Sequence, residues 1–337
     1  MDCKRHRLER SGQAGRMRTV LAAWVLLLAA VVAAIELWPE ADEAPGPRWR
    51  VWKSEVHRPS QVAGLSYELA PGIERDLGGW SVRTNARGLR DGEPVEGSDV
   101  FRVAALGGSF TFGWGVDGNQ IWTALLEREL WRSILVMGRD VDFLGLAVAG
   151  YSLAQQAAAL AARGLEPAPW IVVLEHSLAD PLAPQVRVLS AASPARRSRL
   201  MGWLAGRGAP AAEPSLEALH DPQGEPWKEL SAALARVREL CAARGIPRVL
   251  LIVPRTGPQP WERYPYRELH TQVAREAARH GCDVLDLLDR FEREPPGSLV
   301  LGPDDPAPNA RAQEIAADAV KRFLWESGVL TRVLESH

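Results

Sequence analysis

A serine lies at the junction between a strand-like segment and a helix-like segment. Residues 101–106 (FRVAAL) form an apolar run typical of a buried strand, and apolar side chains recur at helical spacing over residues 119–132. Ser109 lies between them, and the preceding Gly107 and Gly108 permit a tight turn without a Cβ clash. Parallel sheets bind ligands at strand carboxyl ends, and a helix N-terminus offers N–H groups to a developing oxyanion. The stretch therefore predicts a nucleophilic serine or, as the alternative, a serine that only caps a helix.

The rest of the chain repeats this strand-then-helix order. Further strands are predicted at residues 141–146, 170–174, 248–253 and 283–287. Further helices are predicted at residues 152–164, 226–244, 264–280 and 309–326. Residues 181–222, rich in Ala, Pro and Arg, interrupt the rhythm and are predicted to form an irregular insert. Such alternation is typical of an α/β fold whose parallel sheet is covered by helices on both faces.

The first part of the chain has the pattern of a membrane anchor. Residues 1–18 form a predicted basic cytoplasmic tail, and residues 19–37 contain an uncharged apolar run that predicts a transmembrane signal-anchor helix. A linker is predicted over residues 38–64, followed by one folded domain over residues 65–330. Basic residues before the run predict a cytoplasmic N-terminus, which leaves the main domain periplasmic or extracellular. The alternative is a signal peptide cleaved near Ala34, which would release a secreted domain.

Composition and spacing argue against several other classes of protein. The net charge is −2 over 337 residues, which gives no support to nucleic-acid binding. No group of His, Cys, Asp and Glu residues has the spacing of metal ligands, and the glycine turn lacks the Lys-Ser/Thr pair of a phosphate loop. We therefore expect neither a metal nor a cofactor. Cys241 and Cys282 would both be exported, where a disulfide can form, and the sequence leaves open whether they pair.

Five segments, in order along the chain, carry a family resemblance. They are NARGLRDGE, LGGSFTFGWGV, GLAVAGYSLAQQ, IVVLEHSLADPL and DDPAPNARAQEIA. Together they resemble the SGNH, or GDSL, hydrolase family, in its branch with an N-terminal membrane anchor, over about residues 65–325. The resemblance implies a three-layer α/β/α sandwich with a flavodoxin-like parallel sheet. It also implies hydrolysis or transfer of acyl groups, often acetyl, on carbohydrates, lipids or envelope polymers, so a carbohydrate or lipid acyl ester is the expected ligand.

The resemblance assigns roles to individual positions. Ser109 matches the nucleophile, whose own N–H is one oxyanion donor, and Gly150 matches the oxyanion glycine. Ala179 stands where the family has the oxyanion asparagine. Asp304 matches the acid that orients the catalytic histidine, and Ala307 stands where that histidine belongs.

These replacements predict weak chemistry. Serine is a poor nucleophile unless a base takes its proton, and loss of one oxyanion donor costs about 10²–10³ in turnover. The leading hypothesis is therefore a family member with weak or no esterase activity and a binding or accessory role. The alternative is an active ester hydrolase or O-acyltransferase in which Ser109 uses a relocated base such as His176, which follows a strand at the expected edge of the sheet.

Overall fold

The computed structural model describes residues 24, 27, 56–97, 99–134, 138–178, 215–303 and 305–336. The chain divides into two compact units, one of residues 1–48 and 191–213 and the other of residues 49–190 and 214–337. In the first unit Trp24 and Leu27 are helical and exposed, and the rest of the predicted anchor at residues 19–37 lies outside the described residues. Among the helices that the structure does describe, none has the length and apolar character needed to cross a membrane.

Among the described elements of the second unit, four short strands come first, and strands and helices then mostly alternate. Its strands are β1 His57–Pro59, β2 Tyr67–Leu69, β3 Glu74–Asp76, β4 Ser81–Arg83, β5 Val100–Leu106, β6 Asp140–Gly145, β7 Ile171–Ser177, β8 Arg248–Val253, β9 Asp283–Asp286, β10 Val300–Gly302 and β11 Asp305–Pro308. Its α-helices are Ser109–Phe112, Trp122–Ile134, Leu153–Ala159, Leu216–Leu219, Glu225–Ala242, Arg267–Arg279, Leu288–Phe291, Ala310–Glu326 and Val329–Ser336. Single turns of 3-10 helix cover Gly118–Gln120 and Trp261–Arg263, and a π-helical turn covers Leu160–Gly164.

The central sheet has five parallel strands in the order β6-β5-β7-β8-β9. This is the flavodoxin-like order, in which the chain crosses from one side of the first strand to the other. All seven residues of β5 are buried, which is expected of a strand covered on both faces. The predicted α/β fold with a parallel sheet is therefore confirmed. Ligands bind such sheets at the carboxyl ends of the strands that flank the crossover, which here are β5 and β7.

Alternate residues of each strand face two separate cores. On one face, residues such as Leu106 and Leu174 pack with the helices Leu153–Ala159 and Glu225–Ala242. On the other face, residues such as Val103 pack with the helices Trp122–Ile134 and Ala310–Glu326. Because side chains in a strand point alternately to opposite faces, an apolar strand feeds both cores. The arrangement is a three-layer sandwich.

The folded unit extends beyond the predicted limits of residues 65 and 330. Val56 is fully buried, and β1 pairs antiparallel with β2, so part of the predicted linker 38–64 belongs to the domain. At the other end, the helix Val329–Ser336 buries Val329, Leu330 and Val333 against the second core. The apolar residues at both ends explain these extensions, because their burial stabilises the domain.

Two further details correct or complete the sequence-based description. The predicted strand at residues 170–174 continues to Ser177, so Glu175 and His176 lie in a buried strand rather than in the loop after it. The predicted insert 181–222 ends in an ordered helix, Leu216–Leu219, which packs on Leu178.

Cys241 and Cys282 are both buried and both free, and burial raises the pKa of each thiol.

Candidate active site

Ser109 lies on the turn that follows β5, at the carboxyl edge of the sheet. It is the first residue of the helix Ser109–Phe112, and its neighbours Phe110, Thr111 and Phe112 are buried while Ser109 itself is exposed. Gly113 ends the helix in the left-handed conformation, with φ of 79°. The turn therefore presents a hydroxyl to solvent at the edge where sheets of this order bind ligands.

Beneath this turn lies the carboxylate of Glu175, at the end of β7. It accepts hydrogen bonds from the backbone N–H groups of Gly108 at 2.9 Å, Phe110 at 3.3 Å and Thr111 at 2.7 Å. The sequence suggested that the helix N-terminus would offer free N–H groups to an oxyanion. That expectation is wrong for these three groups, because Glu175 already occupies them.

The electrostatics of Glu175 follow from its surroundings. Burial raises the pKa of this carboxyl group, and the N–H and hydroxyl of Thr111 act in the opposite direction. A negative charge at a helix N-terminus also complements the positive end of the helix dipole. Gly107 makes the approach possible, since a Cβ at that position would overlap Glu175 Oε2 and the Thr111 side chain.

The other end of the same short helix is held by Arg90. Its guanidinium donates to the carbonyls of Phe112 at 2.6 Å and Gly113 at 2.7 Å, and also to those of Ser81 and Val116. The group lies between the rings of Trp80 and Phe112, 5.1 and 4.7 Å from their centroids. Burial lowers the pKa of Arg90 to about 9, which leaves it protonated at neutral pH. The turn is thus fixed by the carboxyl group of Glu175 at one end and by the guanidinium of Arg90 at the other.

Gly150 lies on the loop after β6, beside the Ser109 turn. The N–H of Val148 donates to the carbonyl of Gly107 at 3.1 Å, which joins the two loops. Gly150 is exposed and has a φ of 83°, a conformation that favours glycine. The hydroxyl of Tyr67 donates to the Ala149 carbonyl at 3.0 Å and so holds the loop from behind.

The last of the five segments reaches the same region through β11. The N–H of Trp114 donates to the Ser109 carbonyl at 2.9 Å, and its indole Nε1 donates to Asp305 Oδ2 at 3.4 Å. The hydroxyl of Thr256, on the loop after β8, donates to the Pro306 carbonyl at 2.5 Å. Ala307 follows directly, half-buried against the first core. The structure thus brings the strand of Ala307 to the loops of Ser109 and β8, while Asp304 and Ala179 lie outside the described residues.

The histidines in the described part of the chain are engaged with other groups. His176 is fully buried in β7, and its Nε2 lies 3.5 Å from Nε2 of His220. His270 contacts Asp286 and Tyr264, each at 2.9 Å. His280 contacts Glu276 and Ser231, each at 3.2 Å. The ring of His57 packs edge-on against Tyr67. Burial lowers the pKa of His176 well below its usual value, which keeps it neutral at pH 7.

The fold and the site together define a class. A flavodoxin-like sheet with an exposed serine on the turn after its first strand, and a glycine loop beside it, has the arrangement of a serine acylhydrolase. The sequence matches the model of the GDSL-like Lipase/Acylhydrolase family over residues 105–315. The chain belongs to this family, which confirms the resemblance at the level of the family, while the membrane-anchored branch stays a prediction.

Several solved structures are similar to this chain. TesA is 20% identical, with 66% of this chain and 97% of that chain covered and a TM-score of 0.43. The esterase EstA from Pseudoalteromonas sp. is 14% identical, with 67% and 97% covered and a TM-score of 0.42. A lipase/acylhydrolase from Enterococcus faecalis is 14% identical, with 67% and 95% covered and a TM-score of 0.41. No curated protein matches the chain.

Sequence reasoning missed Glu175 and Arg90 as components of the site. The sequence pattern predicts Glu175 in the loop after a strand, although an acid directly after the apolar run IVVL is a usable signal. Buried acids need partners, so such a residue points to a cluster of donors nearby. Arg90 was recognised only as part of the motif NARGLRDGE. Nothing in the local sequence indicates that its guanidinium would reach four carbonyls, one in β4 and three in residues 112–116.

Proposed function

We propose that this chain is a family member with weak or no ester hydrolysis, which binds a carbohydrate or lipid acyl ester at the Ser109 edge of the sheet in a binding or accessory role. One observation carries the proposal. The strand that bears Ala307 contacts Trp114 through Asp305, and the N–H of Trp114 donates to the Ser109 carbonyl, which supports the alignment of Ala307 with the family's histidine; this position holds only a methyl group. A methyl group cannot accept the serine proton.

The placement of the other imidazoles supports the same conclusion. A general base must lie within hydrogen-bond reach of the hydroxyl, about 2.6–3.2 Å. Each histidine in the described ranges contacts a group other than Ser109. His176, the alternative base, is enclosed in β7 and faces His220. The alternative function, an active ester hydrolase or O-acyltransferase with His176 as its base, is therefore less favoured.

Hydrolysis is tested with the full chain, a fluorophosphonate probe and a small acetyl ester. We expect slow labelling of wild type and a hydrolysis rate that Ser109→Ala leaves unchanged within about twofold. His176→Ala should also leave that rate unchanged. Robust turnover that is lost in both Ser109→Ala and His176→Ala would reject the proposal and identify His176 as the base.

Binding is tested separately by thermal shift with an O-acetylated oligosaccharide. We expect a saturable rise in melting temperature for wild type and for Ser109→Ala. Ser109→Trp, which places a bulky group at the exposed position, should abolish the rise. The matching deacetylated oligosaccharide is the control, and equal shifts with both sugars would refute recognition of the acyl group.

The N-terminal segment extends the proposal to location. The uncharged run within residues 19–37 follows a basic segment and precedes acidic residues, which supports a signal-anchor with the main domain outside the cytoplasm. A reporter enzyme that is active only outside the cytoplasm should be active when it is fused after His337. The same reporter fused after residue 18 should behave as cytoplasmic, and a cytoplasmic result for both fusions would contradict the topology.

A further inference from the structure

We propose that Glu175 is a positioning residue for Ser109, holding the turn from beneath and setting the electrostatic potential at the side chain of residue 109. The inference rests on the proposed role of Ser109 as the exposed hydroxyl of the site. It does not depend on whether that hydroxyl hydrolyses an ester.

The Glu175 carboxylate accepts hydrogen bonds from the residues on both sides of residue 109. Gly108 and Phe110 are its immediate neighbours in the chain, and the N–H group of each donates to Glu175, through Oε2 and Oε1 respectively. Thr111 donates its N–H to Oε2 as well. A carboxylate that accepts from residues 108, 110 and 111 fixes the backbone of residue 109 between them.

The donors around Glu175 favour its negatively charged form. Three of its described partners are backbone N–H groups, which cannot accept a proton from a neutral carboxyl. The Thr111 hydroxyl accepts the indole N–H of Trp122 at 3.2 Å, and its own hydrogen bond with Glu175 lowers the pKa of that carboxyl. The carbonyl of Glu175 is held in turn by the side-chain amide of Gln156 at 2.9 Å. These donors oppose the rise in pKa that burial causes, so the anionic form of Glu175 is part of the proposal, and the contacts place the side chain rigidly in a buried position.

This buried anion has a consequence for residue 109. The N-terminus of a helix ordinarily favours negative charge nearby. Here the negative charge of Glu175, buried beneath the turn, offsets the positive potential of the helix N-terminus. A second negative charge on the side chain of residue 109 is therefore disfavoured. The arrangement suits a serine that stays a neutral hydrogen-bonding group, and it opposes the formation of an alkoxide.

A thiol at position 109 reports this potential directly. In Ser109→Cys, the rate of alkylation by iodoacetamide against pH gives the pKa of the thiol, and mass spectrometry of the peptide separates it from the other cysteines. We expect a thiol pKa above the ordinary value of about 8.5. Adding Glu175→Gln, which keeps the shape and removes the charge, should lower this pKa by about one unit.

Two controls separate electrostatics from folding. Glu229→Gln removes an equal charge from an exposed position on the helix Glu225–Ala242 and should leave the thiol pKa unchanged. Glu175→Asp keeps the charge but withdraws it by one methylene, so it should lower the thiol pKa by a smaller amount than Glu175→Gln.

An unchanged thiol pKa in a folded Glu175→Gln variant would overturn the inference and leave Glu175 a purely structural cap. If that variant does not fold, the Asp variant decides, and an unchanged pKa there has the same meaning. Because alkylation needs no hydrolysis, either result can be obtained whether the proposed function stands or fails.

Discussion

The indole Nε1 of Trp114 donates a hydrogen bond to Asp305 Oδ2 at 3.4 Å. These residues are far apart in the chain, and the contact joins the loop after Ser109 to the strand that carries Ala307. Asp305 also accepts from the N–H of Ala307 at 3.0 Å through its other carboxylate oxygen. One carboxylate therefore links the nucleophile loop to the position where the family has its histidine.

The first prediction concerns the space that Gly107 leaves for Glu175. Gly107→Ala would place a Cβ on Glu175 Oε2 and on the Thr111 side chain, within a buried and well-packed turn. Such overpacking typically costs about 1–3 kcal/mol, so the free energy of unfolding should fall by that amount in denaturant titration. Gly118→Ala is the matched control, since a Cβ there meets nothing within 4 Å. Equal free energies of unfolding for the two variants would show that the turn accommodates the added methyl group without strain.

A second prediction concerns the guanidinium at the other end of the helix. Arg90→Met would leave the carbonyls of Ser81, Phe112, Gly113 and Val116 without their donor. We expect a loss of at least about 3 kcal/mol in the free energy of unfolding, measured by denaturant titration. Arg90→Lys should recover only part of it, because an ammonium cannot reproduce the planar set of donors.

The matched control for Arg90 is Arg87→Met, three residues earlier. The side chain of Arg87 is 49% exposed and lies 3.7 Å from the exposed Glu166. Its loss should change stability by less than about 0.5 kcal/mol. If Arg90→Met were as mild as Arg87→Met, the four carbonyls would have to find water or other donors in the variant.

The pair His176 and His220 predicts a dependence of stability on pH. Burial lowers the pKa of both imidazoles, whereas a histidine in the unfolded chain has a pKa of about 6.5. As the pH falls below about 6.5, the unfolded chain takes up protons that the folded chain resists, so stability is full above this value and is lost on acidification. Between pH 7.5 and 5.5, the free energy of unfolding should fall less in His220→Gln than in wild type, by up to about 1 kcal/mol.

The comparison between variants is needed because other groups act in the opposite direction. Burial raises the pKa of Asp91 to about 8 and that of Glu127 to about 7, so their contribution to stability increases on acidification through this range. Leu216→Ala shortens a buried side chain on the helix Leu216–Leu219, which His220 follows directly, and it should lower stability equally at both pH values. A parallel pH profile for wild type and His220→Gln would show that the pair does not titrate on unfolding.

The positions of the strands along the chain were predictable because the apolar runs are short, separate and joined by segments with helical spacing, whereas the order of the strands in the sheet was implied only by the family resemblance. The run FRVAAL contributes to two cores at once, and the sequence shows this double burial as an apolar segment interrupted only by Arg102. The position of Ser109 followed from the glycines before it and the helix after it. These are local properties, which a sequence displays directly.

The supports of the site were not predictable in the same way. Glu175 reaches the Ser109 turn across neighbouring strands, and Arg90 reaches it from a loop before β5. Such contacts depend on which strands become neighbours and on where side chains end, not on spacing along the chain. The continuation of β7 through Glu175 and His176 was missed for the same reason, because polar residues usually mark the end of a strand unless tertiary partners satisfy them.

The last prediction tests the replaced positions themselves. Ala307→His should return an imidazole to the strand beside Ser109, and Ala179→Asn should return the third oxyanion donor. The loop is already held in place, since Asp305 contacts Trp114 and Pro306 contacts Thr256. We expect the double variant to hydrolyse a small acetyl ester at least about tenfold faster than wild type, because a general base alone contributes typically about 10²–10⁴-fold.

The gain should vanish when Ser109→Ala is added to the double variant. Ala310→His, which places an imidazole three residues further along at the start of the helix Ala310–Glu326, is the matched control and should give no gain. Recovery will be incomplete, since a misplacement of about 1 Å can cost about 10²-fold and the charge of Glu175 opposes a developing alkoxide. A folded double variant with no gain over wild type would mean that Ala307 does not occupy the place of the general base, and the assignment of the lost histidine would then be wrong.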